Sequence, residues 1–179
     1  KLEELILLGD KAIIVEQKIS RIYPNENLFS HVVGQIDDNN NGISGIEKSF
    51  DSTLKKKLIP LKLTLDTDIQ YLIREELKKF EEIFQTLGSA AILMDINTGD
   101  IISLVSLPDF NLNKREKISD INFINRATKG VYEFGSVFKT FTLAAAFDEK
   151  ILEPQTKFVD LPKSLTCAGF PIREYDNKI

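Results

Sequence analysis

Sulfur, imidazole and indole are nearly missing from this chain: 179 residues contain one cysteine (Cys167), one histidine (His31), one methionine and no tryptophan. A single cysteine excludes an internal disulfide and a disulfide scaffold, and it is compatible with either a cytosolic or a periplasmic setting. Cys167 and His31 together are too few for a zinc site, so ordinary packing or surface exposure is expected for each, without a catalytic role. No run of about 20 apolar residues occurs, so no segment here can span a membrane as a helix. The net charge of −4 gives no electrostatic case for nucleic-acid binding. The aromatics are mostly phenylalanine and lack the basic interleaving of a single-strand binder. What is present is a 42% hydrophobic content, enough to build a core in one medium domain or two small ones.

Along the chain, Lys11 to Glu16 reads as a short strand, and Asp37-Asp-Asn-Asn-Asn-Gly42 as a polar loop. The carboxylate spacing of that loop does not match a calcium hand. Pro60 marks a boundary between residues 1–60 and 61–179. Beyond it, Thr67 and Gln70 suggest a capping box. The helix it would open carries Ile69, Leu72, Ile73, Leu77, Phe80, Phe84 and Leu87 on one apolar face. Residues 90–96 and 101–107 flank Asn97-Thr-Gly-Asp100, a hairpin signal. Both arms are continuously apolar, which predicts central strands covered on both faces, with Pro108 ending the second. The fold class expected is α+β: an antiparallel sheet with the 66–87 helix on one side and a helix after Ser136 on the other. Lys114 to Asp120 is a charged loop, solvated or rimming a site.

The chemistry-bearing segment is Val131-Tyr-Glu-Phe-Gly-Ser-Val-Phe-Lys139, which runs into apolar residues up to Phe147. A helix apolar nearly all round belongs in a core, where a lysine needs a partner or a purpose. A serine hydroxyl needs a neighbouring base to become a nucleophile. Lys139, three residues after Ser136, can serve if burial lowers its pKa from about 10.4 toward roughly 7–8. Gly135 permits a sharp entry into the turn, and the start of the helix would favour developing negative charge on Ser136. The bland alternative is a serine N-cap with a lysine snorkelling to the surface. The bare S-x-x-K pattern is weak, because Ser52-Thr-Leu-Lys55 also matches it while opening a run of lysines that reads as a solvated face.

The segment from Asn125-Arg-Ala-Thr-Lys-Gly130 through Lys139 resembles the acylation-site region of class B penicillin-binding proteins, the serine transpeptidases that cross-link peptidoglycan. Ala91 to Asn113 is similar to the first strand pair of their transpeptidase domain, and Leu63 to Gln70 to the start of its first helix. Arg21-Ile-Tyr-Pro24, His31-Val-Val-Gly34 and Gly42-Ile-Ser-Gly-Ile-Glu47 resemble their N-terminal pedestal. The resemblance implies that residues 1–60 are the end of a pedestal (dimerisation-like) domain and residues 61–179 the first part of a transpeptidase domain. It also implies catalytic roles for Ser136 and Lys139, with no metal or organic cofactor. Peptidoglycan stem peptides and β-lactam antibiotics are the implied reactants. Division or elongation proteins are the implied partners, reached through the pedestal and an upstream membrane anchor. The implied location is the periplasmic face of a bacterial inner membrane.

The short connection from Asn113 to Asn125 and the Gly130-Val-Tyr-Glu133 ending look more like the cell-division branch than its competitor, the elongation branch. Departures from the family pattern are Phe134 where proline is usual, which predicts a looser turn into the serine, and Glu174 where aspartate is common. The family's S-x-N and K-T-G motifs do not occur: Ser119 to Asn122 has the wrong spacing, and Asn97-Thr-Gly99 lacks the lysine. The chain therefore looks like a fragment without one oxyanion donor, a loss worth about 2.7–4 kcal/mol of transition-state stabilisation, and is expected to react poorly alone. Two other readings remain: a β-lactam-sensing or β-lactam-hydrolysing serine enzyme, and a non-catalytic division interaction module. The pedestal segment argues against the first.

Overall fold

The computed structural model describes residues 2–10, 12–14, 20–56, 60–114 and 120–173. It divides into two compact units, Lys1–Val131 and Tyr132–Ile179. The α+β class expected from the sequence is the class found: one long helix and several short ones with two small antiparallel sheets.

The first unit opens with helix α1 (Leu2–Leu7). Of the strand expected at Lys11 to Glu16, residues 12–14 form a turn and irregular backbone, and the remainder lies outside the described residues. The Asp10 carboxylate accepts from Ala12 N–H at 2.9 Å, and that local bond favours a turn over an extended ladder. Three short helices follow: α2 (Ser30–Val33), α3 (Gly45–Ser49) and α4 (Asp51–Lys55). Between α2 and α3 the polar loop closes as expected. Asp37 Oδ1 accepts from the Asn39 and Asn41 N–H groups, both at 2.8 Å, while Ile36 and Gly42 form a bridge.

Glycine fixes how α2 meets α3. At φ +79, Gly34 adopts a left-handed conformation, and a Cβ there would lie 2.1 Å from the Ser44 carbonyl oxygen. Backbone touches backbone, so no side chain fits. Buried Glu47 then takes Arg21 Nε at 3.2 Å and the Tyr23 hydroxyl at 3.4 Å, which ties the start of this region to α3. The second S-x-x-K is a surface ion pair, as its lysine run suggests: Lys55 Nζ donates to Asp51 Oδ2 at 2.7 Å and Asn41 Oδ1 at 2.8 Å.

Helix α5 (Thr67–Phe84) begins one residue earlier than the capping-box reading requires. Asp66 is the N-cap, its Oδ1 accepting from Asp68 N–H at 3.0 Å and Ile69 N–H at 2.9 Å. Gln70 is not a capping residue at all. It is 1% exposed, and its amide group donates to the carbonyls of Leu28 (2.9 Å) and Leu104 (2.8 Å). Its oxygen accepts from the Ser103 hydroxyl (2.7 Å) and Leu104 N–H (3.0 Å). One amide thus joins three chain segments, satisfying backbone groups that burial would otherwise penalise. Of the expected apolar face, Ile69, Ile73 and Leu77 are half-buried, whereas Leu72, Phe80, Phe84 and Leu87 are exposed.

The hairpin forms with strands β1 (Ser89–Met94) and β2 (Ile101–Leu107), pairing Ser89 with Leu107 and Leu93 with Ser103. Its turn is set by Asp95 Oδ1, which accepts from Asn97 N–H at 2.7 Å, and by left-handed Gly99 at φ +78. β2 is central in burial, with Val105 and Leu107 in the core beside Phe110 and Leu112. β1 is not: Ile92, Leu93 and Met94 are exposed. The expectation that both arms are covered fails for β1 because α5 packs mainly across β2, and β2 is the strand partner β1 has among the described residues. β2 ends before Pro108 as expected. Helix α6 (Arg126–Lys129) is held to β2 through Ser106, whose Oγ accepts from Arg126 N–H at 2.9 Å, and is capped by Asn125 Oδ1 on Ala127 N–H at 3.1 Å.

The second unit contains a 3-10 turn at Gly135–Phe138, helix α7 (Lys139–Asp148), and a hairpin of β3 (Leu165–Cys167) with β4 (Phe170–Ile172). The β3–β4 turn is Ala168-Gly169, both at positive φ, the backbone of a two-residue hairpin. The Ala-Gly pair bounded by apolar residues is a turn signal that the sequence carries and that periodicity alone does not pick out.

Candidate active site

Ser136 sits second in the 3-10 turn, and Lys139 is the first residue of α7. Lys139 N–H donates to the carbonyls of Ser136 and Val137, so one hydrogen-bonded turn separates Ser136 from Lys139. In a 3-10 turn, residues i and i+3 eclipse on one face. The S-x-x-K spacing therefore becomes a shared face. Gly135 enters at φ +54, and a Cβ added there would meet nothing within 4 Å. Glycine is thus required by backbone conformation, not by crowding, and the approach to the serine is open on that side. Phe134 has φ −71 and its carbonyl accepts from Val137 N–H at 3.1 Å. That φ lies in the range proline would impose, and the turn forms with phenylalanine at this position. Glu174 lies outside the described residues.

The burial expected for this helix is not observed. Both Ser136 and Lys139 are exposed, and no α7 residue is buried; Phe141 is 64% exposed and Leu143 47%. The reason is that α7 is apolar on all sides, while the partner elements in its own unit are two strands of three residues. Such a helix needs cover on several faces. Neither the Ser136 nor the Lys139 side chain hydrogen-bonds a described residue. Cys167 is an exposed free thiol.

His31 holds a position the sequence did not suggest. Its Nε2 is 2.7 Å from the Asn122 carbonyl oxygen, which assigns the proton to Nε2, and Nδ1 faces the Ser30 hydroxyl at 3.4 Å. The ring meets Phe110 edge-on at 5.3 Å, and Phe110 meets Phe123 at 5.0 Å. Burial pushes the imidazole below its ordinary pKa, as does nearby Arg126, against opposing effects of the Asn122 carbonyl and Asp109. These rings line a cavity of about 350 Å³, together with Gln35, Ile43, Ser44, Thr128 and Lys129.

Residues 89–179 match the penicillin binding protein transpeptidase domain. This chain belongs to that family, and the resemblance to class B penicillin-binding proteins read from its motifs is borne out. Among curated relatives, it is 31% identical to the probable peptidoglycan D,D-transpeptidase FtsI of Caulobacter vibrioides, over 84% of this chain and 26% of that protein. It is 30% identical to stage V sporulation protein D of Bacillus subtilis, over 84% of this chain and 28% of the relative. It is 29% identical to the probable transpeptidase PenA of Neisseria meningitidis, over 82% and 30%. The chain thus spans less than a third of the length of these relatives. Among solved structures, penicillin binding protein 3 of Mycobacterium tuberculosis superposes with a TM-score of 0.70 at 24% identity, covering 87% of this chain and 37% of that one. A peptidoglycan synthetase of Bifidobacterium adolescentis gives 0.69 at 20% identity, covering 87% and 33%. At these identities the likeness is one of fold.

Proposed function

We propose that the protein to which this chain belongs is a serine D,D-transpeptidase of septal peptidoglycan synthesis, acylated at Ser136. The observation that carries the reading is the 3-10 turn that sets Ser136 and Lys139 one hydrogen-bonded turn apart behind a left-handed Gly135. Ser136 Oγ attacks the carbonyl of the penultimate D-alanine of a stem peptide, and the Lys139 amine takes the hydroxyl proton. The Ser136 N–H supports the developing oxyanion. The C–N bond to the terminal D-alanine breaks, the proton passes to its amine, and an ester remains on Ser136. An amine of a neighbouring stem then attacks that ester, forms the cross-link and restores the serine. A β-lactam imitates the D-alanyl-D-alanine end and leaves an ester that does not turn over. None of these steps calls for a metal or organic cofactor.

The domain reading is a pedestal end at residues 1–60 and the first part of the transpeptidase domain at 61–179. The division branch is favoured by the short Asn113–Asn125 connection, the Gly130-Val-Tyr-Glu133 ending and the FtsI relatives. The pedestal would dock division proteins, with the catalytic domain on the periplasmic face of the inner membrane through an anchor outside this sequence. No helix among the described residues is long and apolar enough to cross a membrane.

The test is release of D-alanine from a stem pentapeptide by the full-length protein. Ser136→Ala is expected to abolish release, and Lys139→Ala to slow it by about 10²–10⁴-fold. Release unchanged in Ser136→Ala would overturn the assignment.

A further inference from the structure

The cavity beside His31 is made wholly of first-unit residues, and neither Ser136 nor Lys139 lines it. We propose that it is a binding site for a small amphipathic carboxylate, an acid carrying an aromatic or branched apolar body.

Its volume of about 350 Å³ is at the lower end of the range that small-molecule sites occupy, roughly 300–1,000 Å³. Two of its lining side chains are held in place by hydrogen bonds. His31 is pinned by the Asn122 carbonyl at 2.7 Å, and the Ser44 hydroxyl by Gln35 N–H at 2.9 Å. The glycine contact between Gly34 and Ser44 holds the far side at a spacing that admits no side chain. Preorganisation of this kind removes the ordering cost of binding.

The lining divides by chemistry. Phe110, Phe123 and Ile43 supply the apolar part of the lining, Phe110 buried and the other two partly exposed, with the two phenylalanine rings edge to face. Lys129 is the cation of the lining, and no carboxylate lines the cavity. Its ammonium forms no ion pair with a described residue, in contrast to Lys55, Lys78 and Lys79, each held by a neighbouring carboxylate. His31 is kept neutral at physiological pH by its burial, so it adds surface rather than charge. Gln35 and Thr128 also line the space, and neither side chain hydrogen-bonds a described residue. A lining that combines one cation and polar side chains with edge-to-face aromatic rings fits a carboxylate whose body is apolar. A cationic or uncharged polar ligand matches only half of that lining.

Isothermal titration of the full-length Ser136→Ala protein with N-acetyl-L-phenylalanine tests this without involving the serine. Binding with a dissociation constant of about 1 mM or tighter is expected. Lys129→Gln should weaken it about tenfold, as loss of a charge-assisted contact does. Ile43→Glu, which places a carboxylate in the lining, should weaken it at least as much. The uncharged N-acetyl-L-phenylalaninamide should bind about tenfold more weakly than the acid. No binding by Ser136→Ala, equal binding of acid and amide, or unchanged binding in Lys129→Gln would overturn the proposal. Failure of D-alanine release, by contrast, would leave it standing.

Discussion

At the scale of single residues, two backbone positions prepare Ser136. Gly135 is left-handed and Phe134 holds a proline-compatible φ. Gly135→Ala puts a Cβ on a left-handed residue, at a cost of about 1–2 kcal/mol, and the acylation rate should fall by about tenfold or more as the turn relaxes. Phe134→Pro should leave acylation intact, since the φ is already suitable. Stopped-flow acylation with a chromogenic cephalosporin measures both. His31 gives a pH prediction. Its folded pKa lies below its ordinary value of 6.5, so the unfolded chain binds the proton first as pH falls. Stability conferred by neutral His31 is therefore complete above about pH 6.5 and declines below it until the folded group titrates. His31→Gln removes that dependence. The difference in melting temperature between wild type and His31→Gln, followed from about pH 7.5 to about 5, should shift steadily against wild type. A pH-independent difference would contradict the burial of that ring.

At the scale of elements, the hairpin, the Pro108 stop and the polar loop are legible in the sequence because their signals are local: a turn residue, a missing N–H, an Asp that accepts from its own loop. The start of α5 is displaced by one residue because Thr67 and Gln70 satisfy the spacing of a capping box, while the nearer Asp66 supplies a better acceptor. The role of Gln70 is hidden from sequence because its true partners, Leu28, Ser103 and Leu104, are more than 30 positions away. No local pattern encodes such contacts. The two assignments of the cap separate cleanly by mutation. Asp66→Ala should cost about 1 kcal/mol of stability, whereas Thr67→Ala should cost a few tenths at most, as a surface substitution does; urea unfolding reads the difference. Equal losses would restore the capping box. The apolarity of α7 is legible, but its exposure is not. Composition shows that a helix wants cover, without showing which segment provides it.

At the scale of the whole molecule, the chain carries in succession a glycine-clasped segment, an α5–hairpin core and a serine-bearing turn. The serine, the lysine and their spacing are visible in the sequence because the proposed chemistry requires neighbouring positions on one turn. The cavity beside His31 is not, since residues 30–45 meet Phe110, Phe123, Thr128 and Lys129 only through the fold. Lys139 is exposed among the described residues, and the family's S-x-N and K-T-G motifs do not occur in this sequence. The full-length protein is therefore the right object for the central test. Incubated with benzylpenicillin and weighed by intact mass spectrometry, it should gain one penicilloyl adduct, mapped by peptide digestion to Ser136 and absent in Ser136→Ala. A folded full-length protein that acquires no adduct, or one that acquires it elsewhere, would contradict the assignment of Ser136 as the acylated nucleophile.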